Sequence, residues 1–132
     1  LLAFFLVYIP FAAQANSVAS KGEQASAISL PQFRGITPAT TNSGIKSVKT
    51  LGTLPLIHEL ESIVNKQFRV REIEMLPGAK VAVHTHDQRP GVAYILEGEV
   101  IEYRSDKQVP QLRSVGQVVF ETHGLTHWWH NQ

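Results

Sequence analysis

Two histidines, His84 and His86, lie two residues apart in a stretch that alternates as a β-strand does. Successive side chains of a strand point to opposite faces, so both imidazoles are expected on one face, about 6–7 Å apart along the chain. Imidazoles at this spacing can bind a single metal ion. The chain has no cysteine, which excludes thiolate zinc sites, iron–sulfur clusters and disulfides, so any metal must take nitrogen or oxygen ligands.

A second group of histidines lies near the C-terminal end of the chain, in a stretch that reads as a turn followed by a strand. His127 is the ligand candidate of this group. His130 is expected on the opposite strand face, and His123 is expected to be exposed in the turn. Trp129 shares the face of His127 and is a candidate to line a pocket or the core, and Tyr94 is a candidate to add a pocket hydroxyl.

Short strands are expected to position these side chains. Between Gln67 and the C-terminus the sequence predicts at least seven strands, separated by glycine-containing turns and without a helical period. One slip in the alternation, between Val70 and Ile73, predicts a β-bulge. The pattern is typical of an all-β fold, an antiparallel β-sandwich or small barrel.

The length of 132 residues allows one domain, and the net charge of +1 gives no electrostatic case for a nucleic-acid partner. Residues 1–15 are uncharged and apolar up to a small-x-small site, which predicts a signal peptide cleaved before Asn16, no membrane association after cleavage, and a periplasmic or secreted protein. Residues 16–50 are predicted to be a linker or N-terminal arm, and residues 51–132 the folded domain. The chain stops directly after a strand, so the barrel is expected to be incomplete at its C-terminus.

The two histidine groups together resemble the paired motifs of the cupin family, which lie on adjacent strands of a small β-barrel. The first family motif reads G-x5-H-x-H-x(3,4)-E-x6-G, and this chain meets it at Gly78, His84, His86 and Gly98. The second reads G-x5-P-x-G-x2-H-x3-N, and the chain meets it at Gly116, Gly124, His127 and Asn131, with Thr122 in the proline position. The resemblance covers about half of the chain and implies a cupin-type antiparallel barrel, or jelly roll.

The serious departure is at the glutamate ligand of the family, because Gly91 occupies its position. Only His84, His86 and His127 therefore carry over as metal ligands. Three outcomes stay open at this point. The site works with three histidines, or a carboxylate from elsewhere completes it, or the metal is lost and the barrel only binds a ligand. Glu121 is the best candidate for the replacement carboxylate, and Glu97 and Glu99 are weaker ones.

The resemblance implies a mononuclear divalent ion of unknown identity, Fe, Mn, Ni or Zn. It also implies chemistry on a small organic molecule, here expected to be an O₂-dependent, dioxygenase-like oxidation of a chelating substrate. The alternative is a non-catalytic cupin module that binds a small ligand in the periplasm. Cupins commonly form dimers, so a homodimer is an additional expectation.

Overall fold

The computed structural model describes the backbone of residues 2–7 and, with side chains, residue 33 and residues 35–132. These residues form an all-β fold, as the sequence predicts, with one short 3₁₀ helix at Leu56–His58 and no α-helix among them. The strands are β1 (Leu2–Val7), β2 (Ser43–Pro55), β3 (Gln67–Thr85), β4 (Gly91–Ile95), β5 (Glu99–Arg104), β6 (Gln111–Ser114), β7 (Val118–Glu121) and β8 (Thr126–His130). No helix in the described part of the chain is long and apolar enough to cross a membrane.

All of the described strand pairs are antiparallel. The order across the sheet is β6-β5-β8-β3-β1-β4-β7, and β2 also pairs with β3. Within the described residues the sheet is open, with β6 and β7 at its two ends, and it does not close into a barrel. The antiparallel all-β architecture is therefore confirmed in its coarse form.

The long strand β3 joins the two halves of the sheet. Its first half pairs with β1 and β2, and its second half pairs with β8. The sequence predicts a turn at Pro77-Gly78, but the strand continues through it, with Gly78 at φ +79°. Asn131 stabilises β3 just before Gly78, because its side-chain amide donates hydrogen bonds to the carbonyls of Met75 and Leu76, both at 3.0 Å.

The first half of β3 has its alternation without the predicted bulge. The register shift lies instead in the partner strand β2, where Leu51 is an extra residue between Thr50, paired with Arg71, and Gly52, paired with Val70. As a result Ile73 is buried and Arg71 lines the interior cavity, while Phe68 is 48% exposed. The predicted bulge between Val70 and Ile73 is therefore wrong, since apolar Phe68 and Val70 do not share a face with Ile73.

The hydrophobic core lies between the two halves of the sheet. One cluster of buried side chains joins strands from both halves: Ile73, Ala93, Ile95, Val100, Val119 and Trp129. Trp129 is 0% exposed and is the largest of the fully buried side chains. This packing stabilises β8, because truncation of such a buried tryptophan typically costs about 3–5 kcal/mol of folding free energy. The strand that carries His127 is thus well supported.

The N-terminal segments are described only in part. Strand β1 falls within the predicted signal peptide, residues 1–15, whose other residues and whose cleavage site before Asn16 lie outside the described residues; cleavage stays a prediction. The predicted arm, residues 16–50, contributes its last eight residues to β2, so the sheet begins before residue 51. Most β2 side chains are exposed on both faces, which explains why no strand alternation is visible there.

Candidate metal centre

Strand pairing brings the three predicted histidines together. His84 in β3 lies directly opposite His127 in β8. His86 follows the end of β3, and its backbone N–H donates to the carbonyl of Leu125 at 2.8 Å. The ring centroids of the three imidazoles lie 4.5 to 5.0 Å apart. The prediction that His84 and His86 share one face is consistent with this geometry, as is the choice of His127 as the third ligand candidate.

The Nε2 atoms of the three histidines have the spacing of ligands on one ion. Nε2 of His127 lies 3.0 Å from Nε2 of His86 and 3.0 Å from Nε2 of His84. For metal–nitrogen bonds of about 2.1 Å, two ligands at a right angle are about 3.0 Å apart. His84, His86 and His127 are therefore close enough to hold a metal ion.

The other ring nitrogen of each histidine faces an oxygen that can only accept a hydrogen bond. Nδ1 of His84 is 2.8 Å from the carbonyl of Ala82, and Nδ1 of His86 is 2.6 Å from the carbonyl of Arg89. Nδ1 of His127 is 2.7 Å from Oε1 of Glu102. Each neutral ring must therefore carry its proton on Nδ1, which leaves three bare Nε2 lone pairs facing each other.

Burial keeps these rings neutral. It lowers the pKa of His84 to about 3 and that of His86 to about 4, with the neighbouring His127 adding to both shifts. Burial also lowers the pKa of His127, although its hydrogen bond to Glu102 opposes this. Neutral imidazole is the form that binds metal, so the three rings are prepared as ligands at neutral pH.

Glu121 lies beside the histidine cluster at the end of β7. Its Oε2 is 3.6 Å from Nε2 of His86 and its Oε1 is 3.6 Å from Nε2 of His127. The side chain is 1% exposed, and neither carboxylate oxygen has a hydrogen-bond partner. Burial raises the pKa of Glu121 to about 8, and the nearby Glu102 charge adds to the shift. A buried carboxylate without a partner is costly unless a cation neutralises it.

Glu102, which the sequence does not single out, holds His127 in place. Its buried carboxylate accepts from Nδ1 of His127, from Arg104 at 2.9 Å and from Arg113 at 2.8 Å. Burial alone would raise the pKa of Glu102, but the hydrogen bonds from His127 and the two arginines hold it below its ordinary value. Carboxylate–histidine pairs of this kind orient metal ligands in proteins. The available signal was alternation in β5, which puts Glu102 on the face of buried Val100.

A cavity of about 490 Å³ opens beside the cluster. Its polar lining consists of His84, His86, Glu121, Asn42 and two arginines, Arg71 and Arg89. Apolar side chains from β2 and β3 make up the rest, including Ile45 and Ile73. This volume is within the usual range for a small-molecule site.

The remaining predicted site residues lie outside the cluster. Trp129 belongs to the core and contacts His127 edge-on, with ring centroids 5.4 Å apart. Tyr94 does not line the cavity; it lies out of phase with the buried Ala93 and Ile95 of β4. The other candidates are also away from the cluster: Glu97 and Glu99 are exposed, His123 is exposed, and His130 stacks on Trp128.

Comparison of the chain with protein-family models found no match, and comparisons with curated proteins and with solved structures found no significant match. The resemblance to cupins therefore rests on the two sequence motifs.

Proposed function

We propose that the protein is a metalloprotein in which His84, His86 and His127 hold one divalent ion. The observation that carries this proposal is the set of three bare Nε2 atoms, two pairs of them 3.0 Å apart. Every Nδ1 proton is already engaged, so no neutral arrangement of protons satisfies the three facing lone pairs. A cation in their midst does satisfy them, and it also neutralises the adjacent carboxylate of Glu121.

We propose further that Glu121 is the fourth ligand. The family's glutamate position is Gly91 in this chain, and Gly91 in β4 is paired directly with Glu121 in β7. Directly opposed residues of an antiparallel pair project from the same face of the sheet. The missing side chain at 91 thus leaves space on the face from which Glu121 extends, and a carboxylate reaches the site from the neighbouring strand. Twice a bond of about 2.1 Å exceeds 3.6 Å, so both Glu121 separations are compatible with one shared ion.

The architecture proposed for the domain is a cupin-type jelly roll. Both motifs contribute ligands from strands that meet in space, β3 and β8, and the described strands are all antiparallel. The position of Asn131 also supports it, because this motif residue is hydrogen-bonded to β3 at Met75, Leu76 and Gly78, the first motif glycine. The proposal includes export to the periplasm or the medium, and the predicted signal peptide supports it.

The proposed activity is an O₂-dependent oxidation of a small chelating substrate. A bound ion would supply open coordination positions and Lewis acidity at the site. Fe, Mn, Ni and Zn are all compatible with imidazole and carboxylate ligands, but only Fe, Mn and Ni could exchange electrons with O₂, because Zn²⁺ has no redox chemistry. The three histidines orient and tune the site, and Glu102 fixes the ring of His127. The cavity walls position the substrate and limit access of water.

The second candidate is a binding module without chemistry. The composition of the cavity supports this candidate. Apart from the candidate metal ligands, the polar side chains that line the cavity are two arginines and Asn42, which can bind a molecule but are not general bases. None of the described residues there is a free histidine or carboxylate that could act as a general base on a bound molecule.

Oxygen consumption separates the two candidates. Protein reconstituted anaerobically with Fe²⁺ is offered a panel of chelating enols, thiols and phenols, and O₂ uptake is recorded beside ligand-induced spectral shifts. The proposed O₂-dependent oxidation predicts O₂ uptake with at least one substrate class and the loss of that uptake in His84→Ala. Spectral binding without uptake across the panel would support the binding module and contradict the oxidation.

A further inference from the structure

Three arginines lie at or near the cavity, where Glu121 is the one acidic side chain among the described lining residues. Arg71 and Arg89 line it, and Arg69 precedes Arg71 by two residues on the same face of β3. The ion pairs of the described residues involve none of the three. The Nε atoms of Arg69 and Arg71 are buried and lack a hydrogen-bond partner. Burial, and then the charges of Arg69 and Arg89, lower the pKa of Arg71, and the nearby Glu121 only partly opposes this.

The arginines and the aromatic residue of this part of β3 are placed opposite to the usual pattern, in which apolar side chains are buried and charged ones are exposed. Phe68 is 48% exposed, while its neighbours in β3, Arg69 and Arg71, have their Nε atoms buried. Partly buried guanidinium groups next to an exposed aromatic side chain lower stability, and such local conflicts are concentrated at functional sites. The arginines are therefore better explained by a ligand than by the fold.

The charge balance of the cavity identifies the kind of ligand. Glu121 is the one acidic side chain among the described residues that line it. With a divalent ion bound, the two lining guanidinium groups and the ion contribute four positive charges against one negative charge. A site with an excess of three positive charges and buried donors favours an anion.

We propose that the site takes a small organic acid whose carboxylate binds Arg71, with Arg89 adding charge, while another group of the same molecule reaches the metal. The planar fork of arginine matches a carboxylate with two parallel hydrogen bonds, which makes Arg71 a specificity-determining residue. This inference rests on the proposed metal function and adds the substrate class to it.

The test uses the whole protein loaded with Co²⁺ and two matched probes. The first is the monohydroxamate of succinic acid, which carries one metal-chelating group and one free carboxylate. The second is the same hydroxamate with its carboxylate converted to an amide. Titration calorimetry and the visible Co²⁺ spectrum report binding. We expect the acid to bind at least about tenfold tighter than the amide, the size expected for hydrogen bonds to a charged group.

The variants are Arg71→Gln, Arg89→Gln and, as the charge-matched control on exposed β2, Lys49→Gln. Arg71→Gln should remove the preference for the acid while leaving amide affinity and Co²⁺ content unchanged. Arg89→Gln should reduce the preference without removing it, and it keeps the backbone carbonyl that accepts from His86. Lys49→Gln should retain the full preference. An equal affinity of wild-type protein for acid and amide, or a preference that survives Arg71→Gln, would overturn the inference.

Metal content, measured before any probe is added, separates this inference from the metal proposal. If wild-type protein takes up neither Co²⁺ nor any of Fe²⁺, Mn²⁺, Ni²⁺ and Zn²⁺, the metal proposal fails, and the metal-free protein is titrated with succinate. Succinate binding that Arg71→Gln abolishes then supports the carboxylate site without metal. Absence of succinate binding overturns it.

Discussion

Replacing Glu102 by glutamine tests whether the metal site depends on its buried support. Oε1 of Glu102 accepts from His127 at 2.7 Å and from Arg104 at 2.9 Å, and Oε2 accepts from Arg113. Glutamine has the same shape but only one acceptor oxygen. Its amide group must face a donor on one side, either an arginine or the Nδ1–H of His127. If the amide faces His127, the ring loses its fixed tautomer.

These contacts set the expected losses of metal affinity and of folding free energy in Glu102→Gln. Loss of a carboxylate that orients a metal-ligating histidine typically lowers metal affinity about 10–100-fold, or about 1.4–2.8 kcal/mol. Glu102 is 0% exposed, so the substitution also removes the buried negative charge that pairs with Arg104 and Arg113. Breaking a buried ion pair from one side typically costs about 3–5 kcal/mol of folding free energy. Both effects are expected in Glu102→Gln.

Two further variants separate the contribution to the metal from the contribution to the fold. Arg113→Gln removes a donor to Oε2 and leaves the contact with His127, so it should lower stability while metal affinity stays within a few-fold of wild type. Glu74→Gln, in an exposed ion pair with Lys46, should change neither by much. The assays are urea unfolding of metal-free protein and competition with a chromophoric chelator at a temperature where each variant is folded. If folded Glu102→Gln keeps wild-type metal affinity, the positioning role of Glu102 is refuted.

Three other substitutions probe the site and the fold. His84→Ala should lower metal affinity by more than about 100-fold, beyond the usual effect of a supporting residue, whereas His130→Ala should not; equal losses in a chelator competition would contradict the assigned ligands. Glu121→Gln should weaken metal binding. It should also stabilise the metal-free protein above pH 8 in thermal melts, because a raised carboxyl pKa means that wild-type stability is lost as pH rises through about 8; an unchanged pH dependence would count against a buried, unpaired acid. Gly44→Ala should lower the free energy of unfolding by about 1–3 kcal/mol, because φ at Gly44 is +65° and the added Cβ would lie 2.9 Å from Cα of Ala79. The control Gly52→Ala, where the added Cβ has open space, should melt near the wild-type temperature.

The three histidines could be predicted from the sequence because two local regularities suffice for them. Strand alternation puts His84 and His86 on one face, and the spacing of the second motif singles out His127. Neither regularity depends on which strands become neighbours. The all-β fold and most strand positions follow from the same alternation and from the glycine turns.

The positions of the carboxylates and arginines at the site could not be predicted in the same way, because they depend on which strands pair, and the local sequence pattern does not determine the pairing. Glu121 could be suggested as a ligand candidate, but its position opposite Gly91 is a consequence of the β4–β7 register. The interior position of Arg71 was hidden because the apolar residues of β3 suggested a bulge that lies in β2 instead. Trp129 was a candidate for the pocket or the core because it shares a strand face with His127, and the packing places it in the core. Tyr94 was a pocket candidate for its hydroxyl group, but it does not line the cavity.

Metal stoichiometry tests the central claim most directly. Protein purified without chelators is loaded with Fe²⁺, Mn²⁺, Ni²⁺ or Zn²⁺ in turn, desalted, and analysed by mass spectrometry of the elements alongside His127→Ala. A site built from three bare Nε2 atoms and a buried carboxylate predicts one ion per wild-type chain with at least one of these metals, and far less in His127→Ala. Substoichiometric metal after loading with all four, or equal retention by the variant, would contradict it.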